Sequence, residues 1–382
     1  MHASSSSRPH SRFALPHGIR KRFARYVGLA QSVAVRYDPL FEGCASCRHA
    51  LRPAPERLGC LLEPDFPIDV VYAWVDGSDP VLAAKRAAHL PPEDRREAAS
   101  HGPARHRDNN ELRYALRSLE TYAPWVHRVF IVSDAQVPRW LNTAHPKIRM
   151  VDHRDFIPHE YLPTFSSRPI EAFLHRIPDL GEYYLYCNDD FFLAAPCDKA
   201  LFFTPNGLPR LFADWRPSRR HGFEHPQSPH THSFGNVCRY LRAHGIEPDP
   251  AVIVAHAPYA QTRGLAGDAY VFYEEAVHRF CRNKFRSRED MVFSSHAVPL
   301  FACAAKRAVP CDVPHYYINT KRFDHQAHYD ALLRQKGTPC QPPFFCLNDV
   351  GDRKSTTWQR DMENFLQAYY PTPSSFEKSG TL

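Results

Sequence analysis

Three short acidic motifs each follow an apolar run. Asn188-Asp189-Asp190 comes after Tyr183-Tyr-Leu-Tyr-Cys187, Asp76-Gly-Ser-Asp79 after Ile68-Asp-Val-Val-Tyr-Ala-Trp-Val75, and Asn348-Asp349 after Phe344-Phe-Cys-Leu347. Carboxylates leaving buried strands suit a hard cation such as Mg²⁺ or Mn²⁺, which takes oxygen ligands and shares its shell with substrate phosphates. Asp189, Asp190 and Asp349 are therefore candidate metal ligands, and one acid of the adjacent pair is available to orient a group or accept a proton. An acid at a strand end is also an ordinary helix cap or turn former; the threefold repetition favours chemistry. No P-loop or dinucleotide-type glycine loop occurs, so a nucleotide would be held by a metal and cationic side chains. Cys44-Ala-Ser-Cys47 with Cys60 hints at zinc, but no second ligand pair at standard spacing completes it, and plain thiols are favoured.

These acids need a frame. The β-branched and aromatic runs at 68–75, 126–132, 148–151 and 183–187 read as strands. Between the first two, Asp108 with Glu111 signals a helix start, and Leu112, Ala115, Leu116 and Leu119 fall on one face before Pro124 ends the pattern. Alternating strands and helices predict an α/β fold with a mostly parallel sheet, whose ligand crevice lies outside the strand carboxyl ends. Asp76, Asp79, Asp134, Asp152, Asp189 and Asp190 would then share one rim. Residues 81–107 read as a polar surface connection, 203–230 as loop, and 270–282 and 357–369 as helices.

The 382 residues suffice for one large α/β domain or two ordinary ones. With 43% hydrophobic and 23% charged residues, and no apolar run near the ~20 residues of a membrane-spanning helix, an integral membrane protein is excluded. The N-terminus lacks the apolar core and cleavage site of a secretory signal. Eleven cysteines, several inside apolar runs, indicate a reducing compartment, hence a cytoplasmic protein. The net charge of +7 is unevenly placed: residues 1–60 hold ten Lys/Arg against three acids, which leaves 38 against 38 in 61–382. This divides the chain into a basic extension, 1–60, and a neutral body, 61–382. Ile19, Phe23, Tyr26, Val27 and Ala30 recur at helical spacing beside Arg20, Lys21, Arg22 and Arg25, which fits peripheral contact with an anionic membrane at its inner face. A solvated tail is the plain alternative. No nucleic-acid-binding motif follows, so nucleic acid is not expected as a partner.

The block Ile68 to Asp79 closely resembles the opening of the Stealth proteins, sugar-phosphate transferases of bacterial capsule synthesis and of the animal lysosomal-enzyme GlcNAc-1-phosphotransferase. The resemblance continues through Asp108-Asn-Asn-Glu-Leu-Arg-Tyr-Ala-Leu-Arg-Ser118, Ala123-Pro-Trp125, Leu162-Pro-Thr-Phe-Ser-Ser167 and Asn188-Asp-Asp190. It returns at His256-Ala-Pro258, Arg286-Ser-Arg-Glu-Asp-Met291 and Cys346-Leu-Asn-Asp349 with Phe376-Glu377, so that all four family blocks are expected in order across 68–377. Arg168-Pro169 stands where the family usually has Pro-Ala, and Tyr259 where some members have a second histidine.

The resemblance implies a Rossmann-like nucleotide-sugar transferase fold and transfer of a hexose 1-phosphate from a UDP-sugar to a hydroxyl of a glycan acceptor, with release of UMP. It matches Asp190, His256 and Arg286 to catalytic positions and Arg117, Ser167 and Glu171 to donor binding. Asp76 and Asp79 are candidates for the nucleotide ribose or the metal, or form only a turn. An imidazole titrating near neutrality suits proton transfer and a guanidinium fork suits phosphate oxygens. Without the resemblance His256 would be one of 23 histidines, Arg286 a surface partner of Glu289, and Arg117 a solvated helix charge. Two rivals remain: a metal-dependent glycosyltransferase, which would release UDP, and a non-catalytic carbohydrate-binding protein.

Overall fold

Four of the expected strands assemble side by side. The computed structural model describes residues 63–90, 107–214, 229–248, 254–321, 324–349 and 357–380; the expectations for the basic extension and for Cys44, Cys47 and Cys60 lie outside these residues. The strands are β1 (Ile68–Ala73), β2 (Val129–Ser133), β3 (Ile148–Asp152), β4 (Tyr183–Asn188), β5 (Phe191–Leu193), β6 (Arg210–Phe212), β7 (Tyr259–Thr262), β8 (Val309–Cys311), β9 (His315–Asn319) and β10 (Phe344–Asn348). The longer helices are α1 (Pro80–His89), α2 (Glu111–Tyr122), α3 (Ser167–Phe173), α4 (Pro229–Ala243), α5 (Arg263–Phe272), α6 (Glu274–Cys281), α7 (Val298–Ala304), α8 (His325–Gln335) and α9 (Thr357–Tyr369). Among the described residues no helix is long and apolar enough to cross a membrane.

The main sheet runs β3-β2-β1-β4-β7. Its first four strands are parallel and β7 is antiparallel to β4. The fold is therefore α/β with a mostly parallel sheet. The first five residues of β1 are buried, as expected for a strand covered on both faces. In register, Ala73 lies opposite both Val132 and Asn188, and Ser133 opposite Asp152. All four parallel strands thus deliver their carboxyl ends to one edge. At the far edge Asp69, buried, accepts bonds from the Gly181 amide (2.8 Å) and Arg128 Nη2 (3.0 Å) and pairs with His127 Nδ1 (2.9 Å). A Cβ at position 181 would meet Asp69 Oδ2 at 3.0 Å, which explains the glycine.

β4 turns through Asp189-Asp190 straight into β5, which opens a second sheet, β5-β10-β9. β10 is antiparallel to β5 and parallel to β9, with Asn348 opposite Asn319. The acid pair is the corner shared by two sheets, and the carboxyl ends of β9 and β10 arrive at the same corner. β6 and β8 form a third, two-stranded sheet.

Several elements depart from the sequence reading. Helix α1 lies inside the expected connection 81–107: Asp79 Oδ1 accepts from the Val81 amide (2.9 Å) and Pro80 takes the first turn. α2 buries the expected Leu112, Ala115, Leu116 and Leu119 but starts at Glu111, because Asn110 adopts a left-handed φ of 65° at its N-cap while Asp108 Oδ1 accepts from the Asn110 amide (2.9 Å). β6 lies within the expected loop 203–230, and the helix expected at 270–282 is two, α5 and α6, which meet at Tyr273. The helix at 357–369 is α9.

Candidate functional site

Along the rim the acids follow the strand order, but they are not equivalent. Asp152 belongs to a capping box with Asp155 and also pairs with Arg154 (2.9 Å). Asp134 is bonded to Lys85 Nζ (2.6 Å). Asp76 is half-buried, and its Oδ1 accepts from the Ser78 amide (2.8 Å) and hydroxyl (2.6 Å). Gln136, a residue the sequence did not single out, stitches this turn together. Its Oε1 accepts from the Asp76 amide (3.0 Å), while its Nε2 donates to the Asp76 carbonyl and to Asp79 Oδ2 (both 2.9 Å). The bonds from Gln136 and from the Val81 amide hold the Asp79 carboxyl below its ordinary range. Asp79 is thus the N-cap of α1, the plain alternative anticipated for it.

The strand order reverses between β1 and β4, and in open parallel sheets the ligand crevice lies at that point. Asp189 and Asp190 leave β4 there. Asp190 Oδ2 accepts from Asn348 Nδ2 (3.3 Å) and from the Cys346 thiol (3.5 Å), and the Leu347 amide donates to its carbonyl (3.1 Å). Its Oδ1 is closed off from solvent and has no hydrogen-bond partner among the described residues. Burial pushes the Asp190 carboxyl up to about 6, with the charge of Asp349 adding to the rise and the Cys346 and Asn348 bonds opposing it. Asp189 is pushed well above its ordinary value, first by burial and then by the charges of Glu111, Asp190 and Asp108. Glu111, buried and bonded to the Asn109 side chain (2.6 Å), is raised to about 7, chiefly by burial. Asp108 and Glu111 therefore belong to the same electrostatic unit as the acid pair. In the sequence they read only as a helix start.

Crowded carboxylates, with Asp190 Oδ1 and Asp349 Oδ1 both buried without a hydrogen-bond partner among the described residues, fit a divalent cation. Among the described residues no three His, Cys, Asp or Glu side chains converge as a ready-made cage, so such a cation would complete its shell from substrate phosphate and water, as Mg²⁺ commonly does. Asp349 is engaged by two cations: its Oδ2 accepts from Arg107 Nη1 (2.6 Å), and its Oδ1, buried without a hydrogen-bond partner among the described residues, forms an ion pair with the buried Lys321.

His256 is half-buried just before β7, with its ring edge-on to Tyr317 (5.0 Å between centroids) and to Phe191 (6.3 Å), the residue after Asp190. The histidine therefore lies beside the residue that follows the acid, although the two are 66 positions apart in sequence. Half-buried Arg286 donates from Nη2 to Ser167 Oγ at the start of α3 (3.4 Å). Glu171, one turn along α3, is buried with both oxygens engaged, Oε1 by Arg168 Nη1 (3.0 Å) and Oε2 by the Ser294 amide (3.1 Å). The buried hydroxyls of Tyr186 and Tyr259 connect the two groups: both phenols are raised by burial, then by the charge of Glu171, and further by Asp189 and Asp190 respectively.

Arg117 is placed differently. It is buried, with Nε and Nη2 on the two Glu377 oxygens (2.6 and 2.9 Å) and Nη1 on the Tyr370 carbonyl (2.9 Å) and Gln367 Oε1 (3.1 Å). These contacts give it the work of fixing the C-terminal segment to α2 and offer no guanidinium edge for a donor.

Three conserved regions of the Stealth proteins match this chain: region 1 over residues 66–89, region 2 over 105–211 and region 4 over 339–381. They contain all the acids of the corner as well as Ser167 and Glu171; His256 and Arg286 lie between the second and third matched stretches. A capsular polysaccharide phosphotransferase of Haemophilus influenzae is 31% identical over 311 residues, covering 81% of this chain and 85% of that protein. An exopolysaccharide phosphotransferase of Streptomyces coelicolor is 38% identical over 319 residues, or 82% of this chain and 53% of that longer protein. Among solved structures, the galactosyltransferase LgtC with donor and acceptor sugar analogues superposes with a TM-score of 0.40 at 12% identity, over 80% of this chain and 97% of that one. Mouse xyloside xylosyltransferase 1 gives 0.38 at 12% identity, over 74% and 98%.

Proposed function

Because the chain belongs to the Stealth family, we propose that it transfers a hexose 1-phosphate from a UDP-sugar to a hydroxyl of a capsular or exopolysaccharide glycan. The acceptor oxygen attacks the phosphorus that bears the sugar, the bond from that phosphorus to the bridging diphosphate oxygen breaks, and UMP leaves. A phosphodiester remains. The relatives' names support phosphotransfer in polysaccharide synthesis; the UDP-sugar, the hexose 1-phosphate and the released UMP are our reading.

The observation that supports it is the corner where the parallel strands end: it holds Asp189 and Asp190, and the ring of His256 lies against Phe191, the next residue. On this reading His256 takes the proton of the acceptor hydroxyl. Arg286, anchored on Ser167, neutralises phosphate charge as it redistributes, the main demand of phosphoryl-type transfer. Asp189 and Asp190 would hold Mg²⁺ or Mn²⁺, which supplies charge neutralisation and polarisation of a phosphate oxygen. Glu171 shapes the donor side by tying α3 to the segment at Ser294.

Purified protein incubated with a panel of UDP-sugars and capsule oligosaccharides, followed by phosphorus NMR, tests this directly. A new phosphodiester signal with stoichiometric UMP is expected. Release of UDP would mean attack at the sugar carbon, that is, glycosyl transfer, and absence of turnover with any donor would favour a binding role.

A further inference from the structure

The corner gathers many carboxyl groups, which is awkward for a site proposed to receive a diphosphate. Asp76, Asp108, Glu111, Asp189, Asp190 and Asp349 all interact there. Two cations, Arg107 and Lys321, both bind Asp349. Both also lie over one indole ring, that of Trp358 in α9, at 5.6 Å for Arg107 and 5.1 Å for Lys321. Their accessibility separates their parts: the Lys321 side chain is 3% exposed and that of Arg107 is 26% exposed. Lys321 therefore serves as an internal counter-charge to Asp349. The Arg107 guanidinium spends Nη1 on Asp349, has no other hydrogen-bond partner among the described residues, and stays partly exposed.

We propose that Arg107, held in place by Asp349 and Trp358, is a diphosphate-binding residue of the donor site. Its place supports this. Asp108, the next residue, interacts with Asp76 at the end of β1 and with Asp189 at the end of β4. Asn348, the residue before Asp349, bonds Asp190. Arg107 therefore stands between the carboxyl ends of β1, β4 and β10, where the strand order reverses. A guanidinium fixed on one edge and stacked on an aromatic face keeps its remaining N–H groups preorganised for a paired phosphate contact. Asp349 then orients a cation.

The inference rests on the proposed nucleotide-diphosphate donor, and its test is separable from the identity of the product. Calorimetric titration of the full chain with UDP and with uridine, in buffer containing Mg²⁺, is compared for the parent, Arg107→Gln and Arg107→Lys. UDP should bind Arg107→Gln roughly tenfold or more weakly, the scale of one charge-assisted phosphate contact, with uridine affinity unchanged and Arg107→Lys in between. Should Arg107→Gln fail to fold, Arg107→Lys, which keeps the charge opposite Asp349, carries the comparison. UDP affinity within twofold of the parent in the folded variants, an equal loss for uridine and UDP, or no UDP binding by the parent would each overturn the proposal. Release of UDP in place of UMP during turnover would remove the phosphotransfer reading and leave the Arg107 site standing.

Discussion

At the scale of single residues, the cost of ionising Asp190 makes both a stability and an activity prediction. The folded state raises this carboxyl from 3.8 to about 6, so the native protein binds its proton more tightly than the unfolded chain does. Stability contributed this way is fully present below about pH 4 and is lost as pH rises through about 6, on the order of 3 kcal/mol for a shift near two units. Asp190→Asn should therefore unfold at higher urea than the parent at pH 7.5 and at nearly the same urea at pH 4, while losing about 10²-fold or more in turnover. Equal midpoints at both pH values would contradict the burial argument. In the parent, kcat should climb between pH 5 and 7 as the carboxylate forms. The same strain gives a test for the metal that needs no turnover: Mg²⁺ or Mn²⁺ should raise the parent's Tm, EDTA should reverse the rise, and Asp190→Asn should show little of it. An identical rise in the variant would exclude the acid pair as the binding locus.

At the scale of elements, the clamp between α2 and the C-terminal segment is a stability device. Burial of Glu377 works to raise its carboxyl, but bonds from Arg117, the Ser374 amide and Arg113 win and bring it down to about 2. This contribution is present above the ordinary value near 4.5 and disappears as pH falls toward 2. Arg117→Met leaves the Glu377 charge buried with one cation removed, which costs about 3–5 kcal/mol. Chemical denaturation should record that loss, and the folded fraction should keep the parent's KM for the donor; a large rise in KM without loss of stability would restore Arg117 to the donor site. The sequence could not reveal this, because Glu377 lies 260 positions away and nothing local about Arg117 names its partner. β1, α2 and α9 were legible for the opposite reason, since burial periodicity and turn residues are local signals. The rim of acids was legible once the strands were taken as parallel. α1 was missed although Asp79-Pro80 is a sound N-cap and N1 pair, because the polar composition of the segment outweighed it. Gln136 and Arg107 were missed because their importance is created by long-range bonds to Asp76, Asp79 and Asp349.

At the scale of the whole molecule, the 38 basic and 38 acidic residues of 61–382 cancel, and the net charge of +7 belongs to residues 1–60. If that extension meets an anionic membrane, removing roughly the first 40 residues should leave kcat on a short neutral acceptor unchanged and abolish sedimentation with vesicles rich in phosphatidylglycerol. Binding of the parent should weaken with salt as charges are screened beyond about 10 Å at 0.1 M. Vesicle binding that survives both truncation and salt would make the extension a passive tail. The catalytic body raises a different matter. Its parallel strands are braced at one edge by Asp69, Arg128 and Gly181 and open at the other onto the acids. The segments that follow β1, β2, β3 and β4 all leave from this open edge. If sugar preference resides in these segments, they can be exchanged for those of a relative without breaking a ladder bond of the sheet. On that condition the scaffold can acquire a new acceptor without relearning how to fold.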